Sequence, residues 1–256
     1  MFLSMPLIRY ILVAAFRDRL LLAIFGLMLL SGVISILLTG AVIMEQAQFA
    51  VASLASSMRI VTIVGLVVFI SFMQRRAHDS REIDYLLATP LGRYRYILSI
   101  AAAFTIIAFL ASILMMAILA VVHHYYSPVL LYWGGSAFVE ISLTTTFALF
   151  MSTRLRSATV CTLMTLAFYS LARLMGAVIG AMHSGIMERF RFYKFYETMI
   201  DIISTLIPRF DVLAQSQWLI YEQVDGVSVW FLIGQWTVFT ALFLSCAAFD
   251  LRRNQF

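Results

Sequence analysis

Six runs of apolar residues, each near the length at which a helix crosses a bilayer, constrain this chain more than any other feature. They cover approximately 20–43, 56–73, 97–122, 129–151, 158–182 and 229–249. A helix rises about 1.5 Å per residue, so about 20 residues cross a hydrocarbon core of about 30 Å. The expectation is an all-α integral membrane protein with six transmembrane helices, built as one domain over residues 1–256. Composition points the same way, since 62% of the residues are hydrophobic and only 12% are charged. Soluble domains carry about twice that share of charge.

Residues 1–19 lack the short apolar core and small-residue cleavage site of a signal peptide and read as an amphipathic helix leading into the first span. Nothing is expected to be removed. Cys161 and Cys246 fall inside spans and read as small core residues, not as a disulfide or a metal cluster.

The net charge of +5 is distributed between spans and not gathered on one face, so it speaks for topology and against nucleic acid. Arginine and lysine are retained near the cytoplasmic ends of spans. Arg9, Arg17 and Arg19 precede the first span, and Arg75, Arg76, Arg81, Arg93 and Arg95 lie between the second and third. Arg154 and Arg156 follow the fourth, and Arg252 and Arg253 follow the sixth. These make 12 of the 18 basic residues. The other side receives Arg59, Arg189, Arg191, Lys194 and Arg209, with Arg173 inside a span. Both termini are therefore expected in the cytoplasm.

Two connections exceed simple turns. The cytoplasmic one, 74–96, offers Asp79 or Ser80 as a cap for a short helix whose apolar Ile83, Leu86 and Leu87 share one face, ended by Pro90 and Gly92. The external one, 183–228, mixes aromatic and charged residues as the headgroup layer favours. A helix there is expected to end at Pro208, followed by a second short helix within 210–221, anchored in the interface by Trp218.

Several chemistries lack their residues. A phosphate loop requires a lysine after its glycines, and the only lysine, Lys194, sits in the aromatic external segment. ATP-derived energy would have to come from another chain. The histidines are His78, His123, His124 and His183, without the spacing of a metal site, and Ser184 beside His183 is only a loop pair.

Two ionisable residues fall deep within spans, where each costs about 2.5–3.5 kcal/mol unless paired or hydrated. Glu140 lies in the fourth and Arg173 in the fifth, at depths that match to about 3 Å. An intramembrane ion pair is the expectation, either to fix helix register or to place a polar point in a substrate path. On the same fifth span Gly176 and Gly180 form a small-xxx-small motif, suited equally to a subunit contact or to packing within one subunit.

The run Arg81-Glu-Ile-Asp-Tyr-Leu-Leu-Ala-Thr-Pro-Leu-Gly-Arg-Tyr-Arg-Tyr96 resembles the cytoplasmic segment of type-2 ABC exporter permeases, in which an acidic stretch leads into Leu-Leu-x-x-Pro and then a basic or aromatic residue. The layout of spans, the amphipathic N-terminal helix, the external helices before the last span and the ending Phe249-Asp-Leu-Arg-Arg253 are similar to that family. The resemblance implies a permease subunit in a bacterial inner (plasma) membrane. It would dimerise in the lipid bilayer, bind no nucleic acid, and dock two copies of an ATP-binding cassette ATPase subunit that holds the ATP and Mg; no cofactor is expected in this chain. Arg81, Glu82, Asp84, Leu86, Leu87, Pro90 and Arg93 would then form or flank the coupling helix. Two other readings stand beside it, an intramembrane hydrolase or transferase using Glu140 and the outer histidines, and a membrane scaffold that only recruits a cytoplasmic partner.

Overall fold

The computed structural model describes residues 4–39, 46–80, 93–124, 126–182, 193–224 and 226–253, and every regular element among them is helical. The chain opens with α1 (Met5–Arg17), started by Pro6 in its first turn and closed at Asp18, whose backbone N–H donates to the carbonyls of Ala14 and Ala15. Leu7, Ile8, Ile11 and Ala15 are buried, while Tyr10, Val13 and Phe16 stay exposed. At Asp18 the chain bends by 57° into α2 (Arg19–Thr39).

Beyond this bend come α3 (Gln46–Asp79), α4 (Arg93–His123), α5 (Pro128–Arg154) and α6 (Ala158–Met182). Two shorter helices, α7 (Tyr193–Leu206) and α8 (Ser216–Tyr221), precede the last long one, α9 (Val229–Arg253). Among the described residues five helices are long and apolar enough to cross a membrane: α3, α4, α5, α6 and α9. A sixth crossing is obtained only if α1 and α2 are taken together as one bent span. Among the described residues the chain is thus all-helical, with five or six candidate membrane-spanning helices, as a multi-pass membrane protein would have.

One span boundary differs from the sequence expectation by more than a few residues, and another is left open. The described part of the first span ends at Thr39, and residues 40–45 lie outside the described residues. The second begins at Gln46 instead of residue 56, because 46–55 is rich in alanine and apolar residues that continue the helix. Arg59, expected in a flank, is consequently inside α3.

α5 is the central helix and packs against α3, α4, α6, α8 and α9. Ser127 caps it, accepting a hydrogen bond from the backbone N–H of Val129, and Pro128 occupies the first turn, where a missing N–H does no harm. Its buried face is unusually polar for a membrane helix, and most hydroxyls are satisfied locally. Thr144 donates to the Glu140 carbonyl at 2.8 Å, and Thr145 and Thr146 donate to that of Ser142 at 2.9 and 2.8 Å. Ser142 in turn accepts from Trp236 Nε1 at 3.0 Å, tying α9 to α5. Phe147 stacks on Phe168 at 4.0 Å and meets Phe243 edge-on at 5.1 Å, joining α5, α6 and α9 through rings. Where α2 crosses α3, a side chain on Gly65 would overlap Ile24, so that crossing depends on glycine.

Polar contacts identify the two ends of the bundle. At one, Arg76 lies 3.7 Å from Asp18 and Arg154 lies 3.1 Å from the buried Asp250. At the other, Ser35 Oγ is 3.0 Å from His123 Nε2, and Tyr132 donates to the carbonyl of Val227. Cys161 is buried beside Ser71, whereas Cys246, read from the sequence as a core residue, is exposed on α9.

Candidate functional site

Charged residues from three helices converge inside the bundle. Glu140 lies about 18 Å along α5 from the end marked by His123, Arg59 about 20 Å along α3, and Arg173 about 14 Å along α6. Glu140 is fully buried and Arg59 is 7% exposed. Arg173 Nη1 lies 3.2 Å from Glu140 Oε1. The hydroxyl of Tyr169, one helical turn before Arg173 on the same face of α6, donates to that oxygen at 2.7 Å. Arg59 Nε is 3.9 Å away, near enough for attraction but beyond a hydrogen bond.

The two guanidiniums also face a broken stretch of backbone. Pro208 stops the helical run of α7, and 208–215 folds into tight turns that include Leu213 N–H to the Phe210 carbonyl at 3.2 Å. Such turns leave carbonyls without helical donors, which is tolerated at membrane depth only where protein supplies them. Arg173 Nη1 donates to the carbonyls of Phe210 and Leu213, the latter at 2.6 Å, and Arg59 Nη1 donates to that of Ala214. Ala214 has a left-handed backbone, φ 45°, and its N–H donates to Ser136 Oγ at 3.1 Å. Ser216 Oγ then meets Ser56 Oγ at 2.9 Å, fastening the start of α8 to α3.

The junction therefore holds two guanidiniums and one carboxylate. Glu140 Oε2 and Arg59 Nε are buried with no hydrogen-bond partner among the described residues. One carboxylate offsets part of two cationic charges, and the backbone dipoles of 210–214 offset more. Chemically the arrangement is an electrostatic clamp. His123 is at the end of α4, far along the bundle axis from Glu140, and among the described residues no group of His, Cys, Asp and Glu is arranged to hold a metal ion.

The sequence singled out Glu140 and Arg173, and the structure brings them together; it gave no role to Arg59, Tyr169 or Ser136. Gly176 lies against the chain's own turn, where an added Cβ would sit 2.7 Å from Cβ and Oδ2 of Asp211, while Gly180 has nothing within 4 Å among the described residues. Asp211 is held by Arg209 at 2.8 Å and cannot easily retreat. Gly176→Ala should therefore lower stability by about 1–3 kcal/mol. Gly180→Ala should leave it unchanged or slightly raised. Thermal unfolding of both variants in one detergent checks the pair. Trp218, expected as an interfacial anchor, is instead 2% exposed and packs edge-on to Tyr132 at 5.4 Å. This follows from α8 being drawn against α3 and α5.

Arg81, Glu82, Asp84, Leu86, Leu87 and Pro90 lie outside the described residues, and Arg93 opens α4. His183 and the charged start of the external segment also lie outside them. No protein-family model matches the chain, and no curated protein does.

Proposed function

We propose that this chain is the membrane-spanning permease subunit of an ATP-driven exporter of the type-2 ABC kind. It lies in a bacterial inner membrane with both termini in the cytoplasm. It dimerises and couples to two copies of a separate ATP-hydrolysing subunit, which carries the ATP and Mg, and it moves a hydrophobic or amphipathic cargo outward.

The observation that supports this reading is the continuity of α3. The helix runs unbroken from Gln46 to Asp79, passes the clamp at Arg59, and ends immediately before the charged segment 81–92. At about 1.5 Å per residue it is a rod of about 50 Å. A partner acting on 81–92 can bias the membrane region only through an element that makes different contacts in different states. α3 is placed to act as such an element, with one end at the proposed docking segment and Arg59 on the carbonyl of Ala214 near the other.

Charge reversal of the docking segment tests this. Glu82→Lys combined with Asp84→Lys is expected to remove the ATPase from the purified complex while the permease itself still folds and inserts. Quantitative pull-down against the wild type reads the result. Undiminished ATPase recovery would reject the assignment.

A further inference from the structure

Arg173 serves the clamp through one nitrogen. Nη1 is the atom that reaches Glu140 at 3.2 Å, the carbonyl of Leu213 at 2.6 Å and the carbonyl of Phe210. Nε and Nη2 make no hydrogen bond among the described residues, and neither is buried. These two nitrogens form the side-on edge of the guanidinium, whose N–H bonds run parallel and match two oxygens of one phosphate or carboxylate. The edge best shaped to hold an oxyanion is therefore the one the clamp leaves free.

Its surroundings are open. The Arg173 side chain is 24% exposed, in contrast to the buried Glu140 and Arg59. Ser170, Ala177 and Gly180 lie three residues before it and four and seven after it, on the same side of α6, and all three are exposed. Small residues around a long one leave a shallow track along the helix, running from Gly180 near the end marked by His123 to the guanidinium. Leu174 and Val178 stand exposed beside that track and give it an apolar border.

Charge and depth narrow the ligand. Two guanidiniums share one carboxylate at the junction, so the site is short of one negative charge. The free edge lies about 14 Å along α6 from its end, where a cation is costly unless an anion or water meets it. A lipid at rest in the leaflet keeps its phosphate in the headgroup layer outside the hydrocarbon core. A phosphate at the depth of Arg173 belongs to a molecule in transit.

We propose that the Nε and Nη2 edge of Arg173 receives the phosphate head of an anionic, lipid-like cargo, whose acyl chains run along Leu174 and Val178. The site prefers a head with net negative charge, because a zwitterionic head brings a cation that the arginines repel. As an assignment of cargo this rests on the exporter reading; as a binding site it stands apart from it.

The test uses the full chain in detergent, stripped of lipid and offered phosphatidic acid, phosphatidylglycerol and phosphatidylcholine with the same acyl chains, with retention read by native mass spectrometry. The two anionic lipids should be retained at one per chain, about tenfold above phosphatidylcholine, and excess inorganic phosphate should not displace them. Ala177→Leu fills the track without touching the clamp. It should bring the anionic lipids down to the phosphatidylcholine level while tryptic cleavage at Arg209 stays at the wild-type rate. Arg173→Lys keeps the charge but loses the fork and should lower retention as well. Equal retention of the three lipids, displacement by inorganic phosphate, or unchanged retention in the folded Ala177→Leu variant would overturn the proposal. The ATPase pull-down on the same preparation separates the two readings. Selective retention without a recovered ATPase keeps the site and rejects its use in export, and a recovered ATPase on a chain that does not discriminate rejects the site alone.

Discussion

Glu140→Gln is expected to cost about 3–5 kcal/mol of stability, the scale on which a buried ion pair fails when one partner is removed. The wild-type junction keeps Arg59 and Arg173 at one carboxylate, with Tyr169 donating to the same oxygen. The substitution is nearly isosteric, so packing around α5 should change little and the effect should be electrostatic. Two guanidiniums would remain in a low-dielectric interior with only backbone carbonyls and an amide to face. Folded yield after size exclusion and thermal unfolding in detergent measure this. Adding Arg59→Gln should restore part of the loss, because the double variant returns to a single cationic charge, and the non-additivity reports the coupling directly. A Glu140→Gln protein with wild-type yield and unfolding temperature would show that the carboxylate does not balance the arginines.

Arg173→Leu should act differently, opening one segment more than unfolding the whole. Its Nη1 donates to the carbonyls of Phe210 and Leu213 as well as to Glu140. Without it those carbonyls lose their donor, at about 1–3 kcal/mol each. Glu140 would still have Arg59 nearby, so the buried charges would come closer to balance. The consequence is a turn at 208–215 that detaches from α6 while the long helices persist. Arg209 lies in that turn and is a trypsin site. Cleavage there tracks the population of the open form when closing is fast, so the rate should rise at least about tenfold. Arg173→Lys keeps a cation but not the planar fork and should give an intermediate rate. Peptide mapping of the digest localises the effect, and a uniform increase at every site would point to global unfolding instead.

Much of this arrangement was legible from residue patterns because membrane insertion makes hydropathy and helix length nearly decisive. Matched depth alone pairs Glu140 with Arg173, since two charges in adjacent spans have few places to go. Arg59 was misplaced for an identifiable reason. The stretch 46–55 is less apolar than the core of α3, and an arginine just before the strongest run looks like a span end. Its partner is the carbonyl of Ala214, and a backbone acceptor leaves no mark in sequence. The available sign was Pro208, which predicts a break in 183–228 and therefore carbonyls in need of donors. Trp218 shows the same limit from the other side. An aromatic residue in a polar loop reads as interfacial until tertiary packing buries it, here against Tyr132.

Purification of the tagged chain from its native membrane tests the central claim most directly. The reading predicts a complex of two permease chains with two copies of a protein bearing a phosphate-loop motif, resolved by native mass spectrometry, whose ATP hydrolysis is altered when the permease is removed. A chain recovered without any nucleotide-binding partner, from membranes in which it is intact and abundant, would contradict it.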